Sequence, residues 1–343
     1  MNLGFALPTG APWATPASLT RIAEQGEACG YHSLWVFQRL LYAVEPKNEH
    51  YGAPGQSWPA AFESVLDPLV TLSFIASRTR TIRLGTSVLV MPFYSPVVLA
   101  KQLATLDLMA EGRLSVGLGL GWSRDEYDAV GVSWERRGAR ADEFVRCLKT
   151  VWTDAEVEFQ GEFYTVPRSR IAPKPLQKPH PPLLIGGYST ASLRRAARLG
   201  DGYTGGNMPP EMMADVIRRF HEAALSCGRD PETIQVVSRA SFHVTDGRLG
   251  AGRRVFWGSV AQILDDMRRY EEGGVTELFL DPTYQPGGGT LGQVLTQMEL
   301  FAPDAEPVSR RRRARTPAIL RSVGASALPA PGPRESRRYS GAW

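Results

Sequence analysis

IRLGTSVLVMPFYSPVVLAKQLATLDLMAEGRLSVGLGLGW, residues 82–122, decides the fold. The apolar run 82–90 reads as a strand. Ser95-Pro96 then starts a helix with a capping hydroxyl before a first-turn proline. Leu99, Leu103 and Leu106 give that helix one apolar face, and Gly112 ends it. A second strand follows over 113–119. Strand, crossover helix and strand make a parallel β/α unit whose two strand ends carry small residues, where a flat ligand can approach the backbone.

The same unit recurs on both sides. Upstream, an opening strand over 3–7 leads to a helix capped by Thr15-Pro16 and stopped by Gly30, and Ser33 to Phe37 form a second strand. Residues 45–62 form a loop too long for a plain connection, and Asp67 starts a helix running to Ala76. Downstream, an amphipathic helix over 141–152 precedes a hairpin at 157–167 and the proline-rich KPLQKPHPP, 174–182. A fifth strand (183–185), Gly186-Gly187, a helix (190–199), a minimal strand at Tyr203-Thr204 and a helix (210–226) follow. A strand over 234–244, a helix over 260–272 capped by Ser259, and a last strand over 275–280 complete the series. Parallel β/α repeats pack as an open doubly wound sheet or as a closed barrel; eight strand-like runs alternating with helices over about 300 residues favour the closed (β/α)8 TIM barrel. Function then belongs at the C-terminal ends of the strands.

Charge divides the chain in two. The net charge is +4, but residues 307–343 hold nine arginines and one acid, leaving 30 basic against 34 acidic residues in the rest. The reading is a barrel domain over 1–306 and an arginine-rich, disordered tail over 307–343. An acidic body and a tail without interleaved aromatics argue against nucleic-acid binding. No apolar run reaches membrane-spanning length, and MNLGFALPTG lacks the basic and long apolar regions of a secretory signal. With three widely spaced cysteines, the expectation is a cytoplasmic protein with no metal site.

At the level of motifs the chain resembles the bacterial luciferase-like superfamily of flavin and deazaflavin oxidoreductases. IRLGTSVLV, PVVLAKQLATLD, GRLSVGLGLGW followed by DEY, IAPKPLQKPHPPLLIGG and AARLGDGYTGG fall in the family's order and spacing, and the resemblance spans about residues 1–302. Among its members the chain looks most like the group that uses coenzyme F420. The resemblance implies a TIM barrel with insertions after barrel strands, a homodimer and a redox ring at the mouth of the barrel. The implied cofactor is F420, with FMN as the alternative, and a flavin or F420 reductase as the source of reducing equivalents. The partner in turnover is a small, largely apolar substrate. The expected function is hydride transfer between F420 and that substrate; two-component oxygenation with reduced FMN, at the same site, is the alternative. Nucleic-acid binding through the tail and cofactor binding without turnover are the remaining alternatives.

The resemblance also assigns residues. Ser87-Val88 matches the place where relatives carry a non-proline cis peptide against the ring. Leu120, Gly121 and Trp122 would lie beside it; without the family, Gly117, Gly119 and Gly121 read as packing or turn residues. Gly186 and Gly187, between a strand and a helix, suit a phosphate at the helix start, with Thr204 and Gly205 completing that pocket. After the second strand come Gln38, which can only hydrogen-bond, and Arg39, able to hold an anionic reduced ring or an acidic substrate. Many relatives place an Asp or an acid–His pair here, and the family's sugar-phosphate dehydrogenases carry an acid at Trp122. Trp122 can stack on a flat molecule but cannot protonate it. His50, in the long loop, is a candidate acid, and Tyr51 and Trp58 are candidate pocket walls.

Overall fold

The structure, a computed structural model, describes residues 1–52, 55–285 and 289–303. The tail expected to be disordered lies outside the described residues. Thirteen strands and nine α-helices are found among the described residues. In chain order they are β1 (Asn2–Ala6), α1 (Pro16–Ala28), β2 (Ser33–Val36), α2 (Pro68–Ala76), β3 (Arg83–Thr86), β4 (Leu89–Val90), α3 (Pro96–Met109), β5 (Leu114–Gly119), α4 (Arg124–Ala129) and α5 (Arg137–Thr153). The hairpin β6 (Val157–Gln160) and β7 (Thr165–Ser169) follows, then β8 (Leu183–Gly186), α6 (Thr190–Leu199), β9 (Gly202–Gly206), α7 (Pro210–Ser226), β10 (Gln235–Ser241), β11 (His243–Val244), β12 (Trp257–Gly258), α8 (Val260–Glu272), β13 (Glu277–Asp281) and α9 (Leu291–Leu300).

The barrel strands are all parallel. β2 lies between β1 and β3, β1 pairs with β13, and the order continues β10, β9, β8, β5; β3 pairs with β5 and closes the ring. The predicted (β/α)8 barrel is therefore present, and the hairpin and proline-rich segment form its insertion between the fourth and fifth barrel strands. Among the described residues no helix is long and apolar enough to cross a membrane.

Local sequence sets the helix ends. The Thr15 hydroxyl accepts from the Ser18 amide (3.2 Å) while the Ser18 hydroxyl accepts from the Thr15 amide (2.8 Å), a reciprocal cap before Pro16. Asp67 caps α2 through the Val70 amide (2.9 Å). Helix α5 starts four residues before the predicted Ala141, because Arg136 takes a left-handed conformation (φ 55°) and turns the chain into it. The reading of 82–90 as one strand is corrected. The run breaks into β3 and β4 around a cis peptide bond at Ser87-Val88. The final helix α9 was not predicted.

Two apolar layers hold the fold. The larger lies between barrel and helices, with Leu72, Leu99, Leu103, Phe144 and Phe220 fully buried. The smaller fills the barrel: Ala6, Trp35, Leu184, Val237 and Phe279. Trp35 stacks on Phe279 (5.3 Å between centroids, 20° between planes) and donates its indole N–H to Glu277 (2.8 Å). Gly85 makes room for that indole, since a Cβ there would come within 2.4 Å of it. Trp35 is thus the floor beneath the barrel mouth.

Candidate active site at the barrel mouth

A cavity of about 520 Å³ opens at the C-terminal ends of the barrel strands. That is within the range of about 300–1,000 Å³ common for small-molecule sites. Its lining falls into two halves. One is mostly backbone and small side chains from β3, β5, β8 and β9: Ser87, Val88, Gly119, Gly121, Gly186, Gly187, Thr204, Gly205 and Gly206. The other is built of large side chains: Phe37, Arg39, Tyr51, Phe62, Trp122, Arg239 and Tyr284.

The glycines of the first half are required by their neighbours. A Cβ on Gly117 would lie 2.1 Å from the Thr86 carbonyl oxygen, and one on Gly119 2.6 Å from Val88. Both let the Ser87-Val88 segment pack onto β5. Gly121, at φ 71°, would meet Val90 at 2.8 Å and takes a conformation open to glycine. Gln38, 3 % exposed, fixes the other side of this segment. Its Oε1 accepts from the Val90 amide (2.8 Å) and its Nε2 donates to the Tyr94 hydroxyl (2.5 Å). Gln38 lines the cavity, yet its amide already serves the protein, which makes it a clamp on the strand end.

The start of α6 closes the same half. Ser189 caps the helix through the Ser192 amide (3.2 Å), and Ser192 also lines the cavity. The first amides of any helix lack a carbonyl within it, so those of Thr190 and Ala191 are available. The Tyr188 hydroxyl donates to the Gly206 carbonyl (3.0 Å) and accepts from the Gly206 amide (3.2 Å), joining the ends of β8 and β9. The Ser87 and Thr204 hydroxyls are 3.3 Å apart across this pocket. Arg137, at the start of α5, reaches the cavity with its guanidinium 3.5 Å above the Trp134 ring, and its Nη1 is buried without a hydrogen-bond partner.

Trp122 is the hub of the second half. Its ring lies 4.9 Å from Trp58, 5.2 Å from His50 and 5.2 Å from Tyr51. The long loop after β2 supplies all three rings. Its Trp58 indole N–H donates to Asn48 (2.9 Å), and Asn48 Oδ1 accepts from the Arg124 amide (2.9 Å), so loop and α4 are tied together. Arg39 stacks over Trp122 (4.8 Å) and Phe62 (5.3 Å). Behind it, Glu126 is fully buried, accepts from the Leu40 amide (2.7 Å) and lies 3.2 Å from Arg39 Nη1. Burial raises the Glu126 carboxyl above its ordinary pKa, while Arg39 and the Leu40 amide pull the other way.

Of the residues singled out from sequence, Gln38, Arg39, Ser87, Val88, Leu120, Gly121, Trp122, Gly186, Gly187, Thr204 and Gly205 all line this one cavity. His50 does not. It stands behind Trp122 and Tyr51, with Nε2 buried and unpartnered, and burial first, then Arg239, Arg39 and Arg254, lower its pKa to about 4. It is neutral at pH 7, which weakens its candidacy as an acid. Sequence reading missed Arg137, Arg239 and Tyr284. Arg239 and Tyr284 follow from strand parity and proximity to the ends of β10 and β13, but only with the strand ends placed correctly.

Comparisons with known proteins agree with this geometry. The sequence profile of luciferase-like monooxygenases matches residues 1–255. An uncharacterised Mycobacterium tuberculosis protein is 35% identical over 283 residues, covering 81% of this chain and 90% of the relative. An FMNH2-dependent dimethylsulfone monooxygenase of Pseudomonas putida is 38% identical over 152 residues, 43% of this chain and 42% of its own. Among solved structures, an F420-dependent secondary alcohol dehydrogenase in complex with an F420-acetone adduct superposes with a TM-score of 0.71 at 16% identity, covering 89% of this chain and 99% of that one; at such identity the likeness is one of fold. A parallel barrel with a cis peptide at the end of its third strand, glycine-lined from β5 to β9 and matched by the family profile over most of its length, makes this chain a member of the luciferase-like monooxygenase family of oxidoreductases.

Proposed function

We propose that the chain is the oxygenating component of a two-component monooxygenase, receiving reduced FMN from a separate reductase. The observation that carries this reading is the division of the barrel mouth into a backbone-lined half and an aromatic half within one cavity. When bound, reduced flavin supplies two electrons to dioxygen, so that one oxygen atom enters the substrate and the other leaves as water. The residues present fit such a group. The Ser87-Val88 segment, Gly119 and Gly121 offer a flat backbone surface for a tricyclic ring. The α6 start, Ser189, Ser192 and Arg137, whose Nη1 has no hydrogen-bond partner, offer donors and charge for a phosphate. Phe62, Trp122, Tyr51 and Tyr284 exclude water from the opposite side. Partial identity to a monooxygenase using FMNH2 supports flavin over deazaflavin. Following the family resemblance, we also propose a homodimer.

Hydride transfer with F420 is the second reading. Arg137 favours it, because a cavity-lining guanidinium whose Nη1 has no hydrogen-bond partner suits a cofactor with more negative charge than a single phosphate. Anaerobic titration of the purified chain with reduced FMN and with reduced F420 decides between them. Reduced FMN binding at least tenfold tighter supports the oxygenase; the reverse order overturns it in favour of hydride transfer; no binding of either overturns both.

A further inference from the structure

Among the described residues, three arginines and no carboxylate line the cavity: Arg39, Arg137 and Arg239. Arg137 is the one proposed above for the phosphate. The other two stand in the aromatic half, and we propose that they recognise the substrate: a flat, largely apolar molecule carrying a carboxylate, its body against Trp122, Phe62 and Tyr284 and its charge between Arg39 and Arg239. This rests on the placement of the cofactor in the glycine-lined half argued above, and it names the class of molecule that fills the rest.

Both guanidiniums are placed to bind an anion. The Arg39 side chain is 7% exposed and that of Arg239 14%, so neither charge is solvated as a surface arginine would be. Each has an acid behind it, outside the cavity lining. Glu126 is 3.2 Å from Arg39, but Nη1 and Oε2 meet without a hydrogen-bonding angle, and neither atom has another partner. Asp281 is 3.7 Å from Arg239 Nε, and its Oδ1 accepts from the Thr283 amide (2.9 Å). Among the described residues, the Arg239 guanidinium donates no hydrogen bond. Arg39 uses its Nε on the Gln38 carbonyl (2.7 Å); the donors that the two guanidiniums leave unused gain by a ligand that accepts from them. A carboxylate does so in the planar, two-point geometry that guanidinium favours.

The rings argue for the rest of the molecule. Arg39 is stacked on Trp122 and Phe62, and Arg239 lies over Tyr284 (5.4 Å), so each charge is held at the edge of an aromatic surface. A compact hydrophilic anion would leave those faces in contact with water. An aromatic or otherwise flat acid covers them. The neutral state of His50 has the same origin in part: after burial, Arg239 and Arg39 are the groups that lower its pKa.

The test compares naphthalene-2-carboxylate with its neutral isostere 2-naphthylmethanol, by equilibrium dialysis against the full chain, both saturated with FMN and flavin-free. The expected result is at least tenfold tighter binding of the carboxylate. Arg239→Gln should bring the two probes within about twofold of each other while FMN affinity stays within twofold. Equal or tighter binding of the alcohol by the native chain overturns the proposal. So does a tenfold loss of FMN affinity in Arg239→Gln, which would assign the guanidinium to the cofactor. If Arg239→Gln does not fold, because Asp281 is stranded, Arg239→Lys keeps a cation there. It should lose at least threefold of the carboxylate preference, and an unchanged preference refutes the idea. If FMN fails to bind at all, the cofactor reading fails, yet the preference in the flavin-free chain still decides this one.

Discussion

Arg39 Nη1 and Glu126 Oε2 meet at 3.2 Å, joining the end of the second barrel strand to the helix after the fourth, with both side chains almost wholly buried. The pair underlies the aromatic wall, because Arg39 carries Trp122 and Phe62 on its planar face. Breaking it from one side is expected to be severe. Glu126→Gln leaves a buried cation and should destabilise the chain by about 3–5 kcal/mol, read by urea denaturation. The paired change Arg39→Met with Glu126→Leu should recover at least half of that loss, since an apolar pair of similar volume removes both charges. No recovery would show that the pair is not what holds these elements together.

Gln38 makes a second prediction. Its Oε1 is the acceptor for the Val90 amide, so Gln38→Leu leaves a buried N–H unpaired, at a cost of about 1–3 kcal/mol. The segment running from Val88 into β4 loses its clamp, and FMN affinity should fall at least fivefold. Gln38→Glu keeps the acceptor and should retain more of both. An unchanged affinity in Gln38→Leu would remove Gln38 from the cofactor site.

Gly119→Ala places a methyl 2.6 Å from Val88. Overpacking of this kind costs about 1–3 kcal/mol. The same variant should weaken FMN binding at least tenfold, since the shifted segment is the surface proposed to face the ring. Val88→Ala on the Gly119→Ala background relieves the clash and should restore stability before it restores binding. Calorimetry alongside flavin titration separates the two.

Glu27 and His50 both contribute to the acid behaviour. Glu27 Oε1 accepts from the amides of Arg80 (2.8 Å), Thr81 (2.5 Å) and Ile82 (2.9 Å). Desolvation opposes its charge, but these bonds prevail and hold the carboxyl at about 2, against an ordinary 4.5. His50, held at about 4 against 6.5 chiefly by burial, stays neutral in the folded chain. In both cases the unfolded chain binds the proton more readily. Stability should therefore fall as pH drops, between about 6.5 and 4 for His50 and between about 4.5 and 2 for Glu27. Glu27→Gln should flatten the lower limb of a Tm-against-pH curve, and His50→Asn the upper one. An NMR midpoint for His50 near 6.5 would contradict the second part.

The order of strands and helices was legible in the sequence because each element carries its own local signal. Thr15-Pro16, Asp67-Pro68 and Ser95-Pro96 fix helix starts, and the apolar runs fix strands; alternation gives a parallel α/β fold, and the count of eight units favours the barrel over an open sheet. The family motifs then gathered eleven of the twelve chosen site residues onto one cavity. Local signals could not show that 82–90 breaks at Ser87-Val88, since that bend depends on Gly117 and Gly119 of a neighbouring strand leaving room for it. Nor could they show that Arg39 meets Glu126, that Arg239 faces the same cavity, or that His50 sits behind Trp122 rather than at the mouth. Periodicity and capping act over a few residues and belong to the chain. Charge pairing, burial and the facing of side chains across a barrel act between residues 40 to 200 positions apart, and only closing the ring brings them into contact.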